Sequence, residues 1–303
     1  MKHLFIVNPI AGGSDKTEDI KIQVRNAFVG RDEEYEIYTT SEPLDATREV
    51  KRRALTGEEY RIYSCGGDGT FNEVVCGAAG FKNISVAPMP TGTGNDFCRM
   101  FGDEKDMFRD ASLLINGSVH PIDLIECNGR YGVNLCSIGV DARIGCNVHK
   151  YTKLPLVGGA TGYVISLIVE VCKGISTPMR IKCGDYSVTA PISLCCVCNG
   201  RYYGGGFNPS LDAMPDDGEL DIYIAKKMSL PVLAMNLGKY ASGRSDEIPK
   251  LITHLKGTEI SIDLPKEDVI NIDGEAVYAK NITMRLIPKA LNLIVPKGMK
   301  FFD

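Results

Sequence analysis

Residues 61–73, Arg61-Ile62-Tyr63-Ser64-Cys65-Gly66-Gly67-Asp68-Gly69-Thr70-Phe71-Asn72-Glu73, decide how this chain is read. The run Arg61 to Ser64 predicts a strand, and the stretch Thr70 to Ala79 predicts a helix. Between them lies a turn with three glycines around one acid. Glycines at a strand-to-helix turn let backbone N–H groups come close to a phosphate, and the helix N-terminus adds positive partial charge. Asp68 alone is a poor phosphate ligand, because it sets negative charge beside negative charge; a Mg²⁺ ion between the two resolves the conflict. The plainer reading is a tight turn with Asp68 as a helix cap.

Working outward, Leu4 to Val7, Tyr35 to Tyr38 and Ile84 to Ala87 also read as strands, with helices over Lys16 to Phe28 and Asp45 to Leu55. This alternation predicts an α/β domain over residues 1–120, three-layered around a parallel sheet. Such sheets bind ligands at the carboxyl ends of their strands, where each of these four strands meets a polar or glycine-rich turn. Pro90-Thr91-Gly92-Thr93-Gly94-Asn95-Asp96-Phe97 is a second glycine-threonine turn, on the neighbouring strand. It gives one ligand two walls. As a dinucleotide fingerprint it is incomplete, since Phe97 stands where a third glycine or alanine belongs. Asn8-Pro9-Ile10-Ala11-Gly12-Gly13 ends the first strand, and the following Ser14-Asp15-Lys16-Thr17 is no P-loop, because Asp15 precedes the lysine where glycine is needed. The His-Arg-Asp and Asp-Phe-Gly combination of protein kinases is absent.

Beyond His120 the pattern changes to successive strands: Ile122 to Cys127, Gly132 to Ser137, Met179 to Cys183, Ser187 to Cys198, Leu220 to Ile224, Glu259 to Leu264, Val269 to Ile272, Ile282 to Ile287 and Leu291 to Val295. They predict a β-rich second domain over residues 121–303, its C-terminal tail free to return to the first domain. Helices over Thr161 to Lys173 and Leu230 to Tyr240 interrupt it. Two acidic turns stand out, Met214-Pro215-Asp216-Asp217-Gly218-Glu219 and Asp273-Gly274-Glu275. Taken alone, Asp273-Gly274 is a two-residue hairpin signal.

The 303 residues carry a formal net charge of -4 and are 44% hydrophobic. That size and content allow a two-domain globular protein, and the charge argues against a nucleic-acid partner. Asn8-Pro9 cuts the first apolar run short of a signal peptide, which places the expected protein in the cytoplasm. The apolar stretch Ala160 to Val171 contains Glu170 and is shorter than the roughly 20 residues of a membrane span. Eleven cysteines without paired spacing fit reduced thiols, and Cys195, Cys196 and Cys198 read as a buried strand rather than a zinc site. Lys51-Arg52-Arg53, with Lys21 and Arg25 one helical turn apart, raise either a solvated helix face or a patch for peripheral membrane contact.

In their order these motifs resemble the diacylglycerol kinase catalytic family, including bacterial soluble lipid kinases and, more distantly, sphingosine kinases. The matching residues are Asn8-Pro9 with Gly12, Gly66 to Thr70 with Asn72-Glu73, Thr93-Gly94-Asn95-Asp96-Phe97, Gly204-Gly205-Gly206, Asp217-Gly218 with Leu220, and Asp273-Gly274-Glu275. The resemblance implies an ATP-dependent lipid kinase with its nucleotide in a cleft between the N-terminal α/β domain and a C-terminal β-sandwich domain. ATP would touch Asn8, Gly12, Thr40, Gly66, Gly67, Asp68, Gly69, Thr70, Asn72 and Thr93. A structural Mg²⁺ would sit on Asp217 and the main-chain oxygens of Met214 and Glu219. Glu275 would be the general base, with Asp273 helping to organise metal and water. The acceptor would be a lipid hydroxyl, most simply that of diacylglycerol, giving phosphatidic acid. Two departures stand out: Ser14-Asp15 precede Lys16 where many relatives have a basic residue directly after the glycine turn, and Cys98 replaces a frequent alanine. A soluble-metabolite kinase of the NAD kinase type, a catalytically silent nucleotide- or lipid-binding module and an NAD-dependent oxidoreductase are the competing readings. Whether a second copy of the chain is a partner stays open.

Overall fold

The computed structural model describes residues 1–13, 15–92, 94–152, 169 and 174–303. The chain divides into two compact units, one of Met1–Leu124 with Ile287–Asp303 and the other of Ile125–Leu286. The division falls a few residues past the expected boundary at 120.

In the first unit β1 (Lys2–Val7), α1 (Thr17–Ala27), β2 (Glu34–Thr39), α2 (Asp45–Ala54), β3 (Tyr60–Gly66), α3 (Asp68–Ala78) and β4 (Ile84–Pro90) follow one another. Strand β1 pairs in parallel with both β2 and β3, and β3 pairs in parallel with β4. Strands β1, β3 and β4 are buried along almost their whole length, as strands covered on both faces must be, whereas β2 is an exposed edge carrying Glu34 and Glu36. The helices pack as pairs. A Cβ on Gly77 of α3 would come within 2.7 Å of the Thr47 carbonyl and of Val50 Cβ on α2, so glycine sets how closely those two helices approach. The short α4 (Asp96–Arg99), a 3₁₀ turn and α5 (Ala111–Ile115) lead into β5 (Ser118–Cys127).

The second unit holds β6 (Arg130–Gly132), β7 (Leu135–Gly139), α6 (Val140–Thr152), β8 (Thr177–Cys183), β9 (Tyr186–Cys198), β10 (Leu220–Lys226), α7 (Leu230–Ala241), β11 (Ile252–Gly257), β12 (Glu259–Ile272) and the part of β13 (Glu275–Val295) up to Leu286. Its pairings are antiparallel, in the order β11-β10-β9-β7-β12-β13, with β8 joining β9 and β12. The aliphatic core includes Ile138, Ile181, Cys195, Val197, Ile222, Ile262 and Met284. Cys195, Cys196 and Cys198 are fully buried on β9, and burial pushes the Cys195 thiol well up from its ordinary range. They are core residues.

Two expected pairs of strands are single long ones. Glu259–Leu264 and Val269–Ile272 form β12, whose pairing slips between Asp263 and Asp268; Ile282–Ile287 and Leu291–Val295 form β13, which carries Lys289 at φ 50°. Irregularities of this kind bend a strand without ending it. The last part of β13 pairs in parallel with β4 through Asn292 and Leu293, and this returns the C-terminal residues to the first unit. The helix expected over Thr161 to Lys173 lies, Val169 apart, outside the described residues.

Candidate active site

Three loops at the carboxyl ends of β1, β3 and β4 are packed backbone to backbone, and their glycines make this packing possible. Strand β3 ends at Gly66 and α3 begins at Asp68, with Gly67 alone between them. A Cβ on Gly92 would stand 2.8 Å from the Gly67 Cα, and one on Gly94 would stand 2.7 Å from the Asp68 Oδ2. Gly12, at φ 76°, faces the Thr91 carbonyl so closely that a Cβ would overlap it. Hydrogen bonds tie the same contacts. The N–H groups of Thr91 and Gly92 donate to the Gly66 carbonyl at 2.9 and 3.3 Å. Asn8 Nδ2 donates to Thr70 Oγ1 at 2.9 Å, and Asn95 Nδ2 donates to the Gly92 carbonyl at 2.8 Å.

Gly67 caps α3 in extended geometry and, having no side chain, gives the first N–H groups of that helix no capping bond of its own. Those donors and the dipole are the ordinary means of holding a phosphate. The loop also has a cation. Lys16 Nζ donates to the Thr91 carbonyl at 3.1 Å, while Asp15 Oδ1 accepts from the Thr17 N–H at 2.8 Å at the start of α1. Beneath the two turns lies a small recess lined by Ser64, Asp68, Phe71, Asn95 and Phe97; Ser64 Oγ is buried there without a hydrogen-bond partner among the described residues.

Asp68 has a protein partner. Its Oδ1 accepts from the Asp96 N–H at 2.7 Å, and the Asn95 and Phe97 N–H groups add to the same carboxylate. Burial nonetheless outweighs these bonds and pushes the Asp68 carboxyl above its ordinary range. The cap it forms is on α4, not on its own helix.

In the second unit Asp273 and Gly274, at φ 49° and 98°, make a two-residue hairpin that pairs Ile272 with Glu275. The Asp273 carboxylate accepts from the Val133, Asn134 and Leu135 N–H groups at 2.6, 3.0 and 2.8 Å. Glu275, two residues on, is exposed at the start of β13. In the other acidic turn Asp217 Oδ1 accepts from the Glu219 N–H at 3.0 Å, which uses one carboxylate oxygen. Partial burial, reinforced by Asp221 and Glu219, raises the Asp217 carboxyl above its ordinary range. The Glu219 side chain is paired with Lys256 at 3.1 Å. One carboxylate and main-chain carbonyls are the hard oxygen donors that Mg²⁺ takes, and a cation would relieve the raised carboxyl. Among the described residues, no group of three His, Cys, Asp or Glu side chains is placed to hold a metal.

Residues 2–127 match the family described as the diacylglycerol kinase catalytic domain, and residues 134–295 match the YegS C-terminal NAD kinase beta sandwich-like domain. The first domain belongs to the diacylglycerol kinase catalytic family, and the second, more than half of the chain, to the YegS C-terminal NAD kinase beta sandwich-like family. A relative in Staphylococcus haemolyticus, named "Putative lipid kinase", is 27% identical over 246 residues, covering 81% of this chain and 79% of the relative. Two solved structures from Bacillus anthracis, one described as a diacylglycerol kinase and the other as a "putative diacylglycerol kinase", are each 25% identical. Both cover 99% of this chain and 98% of their own, with TM-scores of 0.72 and 0.74.

In this diacylglycerol kinase family domain the expected nucleotide residues fall into two groups. Gly12, Gly66, Gly67, Asp68 and Gly69 lie on the packed loops, and Thr40 follows β2 with its N–H on the Val7 carbonyl at 2.9 Å. Asn8 and Thr70 bond each other beneath the turn; Thr70 and Asn72 are buried. Thr93 lies outside the described residues. Sequence reasoning noted Lys16 and Asn95 without giving them a site role and passed over Arg99, whose Nε donates to the Gly94 carbonyl at 3.0 Å. Lys16 reaches a main-chain oxygen 75 residues away, whereas Asn95 and Arg99 bond carbonyls of their own turn, and spacing carries no signal of either. The basic patch is largely neutralised. Arg52 and Arg53 bond Glu49 at 2.7 and 2.6 Å, Arg53 also bonds Glu36 at 2.6 Å, and Lys21 bonds Glu18 at 2.7 Å. Among the described residues no helix is long and apolar enough to cross a membrane.

Proposed function

We propose that this protein is a lipid kinase that transfers the γ-phosphate of ATP to the hydroxyl of a lipid of the diacylglycerol class. The observation that carries the reading is the glycine-to-glycine contact of the Gly66–Thr70 turn with the Thr91–Asn95 turn. It brings the donors that open α3 beside a second main-chain loop, with Gly67 facing Gly92 at the contact, and such main-chain donors suit a polyphosphate. Lys16 adds a positive charge to the same loops. Phosphoryl transfer asks for positioning and charge stabilisation more than for covalent chemistry, and main-chain donors fixed by packing supply both without reorganising.

Glu275 serves as the base that accepts the proton of the attacking lipid hydroxyl, and Asp273 is the positioning residue that anchors its hairpin. When bound, Mg²⁺ neutralises charge on phosphate oxygens or braces an oxygen-lined turn. Asp217 with the Met214 and Glu219 carbonyls would hold the bracing ion. Asp217→Ala is expected to abolish most of the rise in thermal midpoint that added Mg²⁺ gives the wild type. An unchanged rise would remove Asp217 from the metal site.

The relatives' names support a lipid acceptor, and the NAD kinase-like description of the second domain keeps NAD as the rival. A panel of diacylglycerol, phosphatidylglycerol, a sphingoid base and NAD, each offered with labelled ATP and Mg²⁺, tests the reading by which product takes the label.

A further inference from the structure

We propose that the outward face of α7 docks this protein on an anionic bilayer. The proposal rests on the lipid-kinase reading, since that acceptor lies in a membrane. Over Leu230–Ala241 the exposed positions are Leu230, Pro231, Ala234, Met235, Leu237 and Gly238. At 3.6 residues per turn they fill one arc of about 160°. None carries a charge or a side-chain hydrogen-bonding group. Met235 is 80% exposed, Leu230 48% and Leu237 37%.

The opposite face is anchored. Tyr240 is buried with Leu194, Cys196, Tyr223 and Ile252, and its hydroxyl lies 3.3 Å from that of Tyr203. Val232, Leu233, Asn236 and Lys239 are half-buried on that side. The helix is therefore held in one rotation, which presents its apolar arc to water. Scattered surface leucines need no explanation, but a helix face with no polar side chain does.

Charge selects the occupant. Residues 226–250 hold five basic side chains, Lys226, Lys227, Lys239, Arg244 and Lys250, against two acids, in a chain of net charge -4. Both acids lie at the far end, where Glu247 pairs with Lys239 at 3.1 Å and with Arg244 at 3.5 Å. Lys226 and Lys227 are exposed just before the helix N-terminus, where positive charge is disfavoured by the dipole. An anionic surface offsets that cost. A second copy meeting this patch about a two-fold axis would bring like charges together, and one helix face of twelve residues offers far less than the roughly 800 Å² per partner of a stable interface. Apolar side chains seated at the acyl boundary with lysines among the headgroups are the ordinary arrangement of an interfacial helix.

The test compares the wild type with the double variant Met235→Glu and Leu237→Glu, both at exposed positions. Partition is measured by co-sedimentation with phosphatidylcholine vesicles that contain phosphatidylglycerol. The variant should lose at least about tenfold in partition, because two apolar anchors are replaced by charges that anionic lipid repels. Wild-type partition should weaken as salt rises. Thermal midpoint and turnover on a short-chain diacylglycerol below its micelle concentration should not change. Equal partition of the two proteins overturns the proposal, as does sedimentation velocity showing that the variant splits a dimer while vesicle binding persists. If neither protein phosphorylates the monomeric lipid, the lipid-kinase reading fails, and the vesicle result still decides the docking face.

Discussion

Gly67→Val is expected to weaken ATP binding by about 100-fold or more while the protein stays folded. Gly67 is extended at φ -98°, a conformation open to any residue, and a Cβ there meets, among the described residues, only the Gly92 Cα, at an ordinary 3.7 Å. The fold therefore has room for a Cβ at this position. The space it enters is the one a phosphate needs to reach the α3 donors. Each charge-assisted bond of that kind contributes about 1.5–3 kcal/mol, and losing two of them gives the expected change. Gly92→Ala is the informative contrast, because its Cβ would stand 2.8 Å from the Gly67 Cα and must push the two turns apart. That variant should lose thermal stability as well as nucleotide affinity. Calorimetric titration with ATP, read beside a melting curve, separates the two outcomes; unchanged affinity in Gly67→Val would remove the turn from the phosphate site.

Glu275→Gln is expected to lower turnover by about 10²-fold or more with ATP affinity nearly intact. The substitution keeps the shape at an exposed position and removes the proton acceptor. Asp273 differs in kind. Its carboxylate takes three main-chain N–H groups, so Asp273→Asn leaves at least one of them unsatisfied and should lower the melting point together with activity. Sequence spacing cannot distinguish these acids, which stand two residues apart in one turn. The hairpin geometry does: one is consumed by the fold and the other is free of that task. Full turnover in Glu275→Gln at wild-type stability would show that positioning alone suffices for this transfer.

The first unit was legible because its strands are short, apolar and separated by helical periods, and β1 to β4 fall within a few residues of the sequence reading. The second was less so. Strand β11 lies at the sheet edge, where the adjacent Thr253 and His254 break a period of two, and α6 starts at Val140 directly after β7, with only the last residue of that strand, Gly139, to mark the change. Bulges within β12 and β13 looked like strand ends. At the site, the glycine motifs announced close backbone approach, but not which backbone approaches which. The bond from the Asp96 N–H to Asp68 joins residues 28 apart, and spacing gave no sign that this acid also braces two loops.

The account stands most directly on where the γ-phosphate goes. Purified wild-type protein with Mg²⁺ and γ-labelled ATP, offered a dispersed diacylglycerol and NAD together, should place the label in phosphatidic acid. Label in NADP, or ATP consumption without label in any lipid, would contradict it.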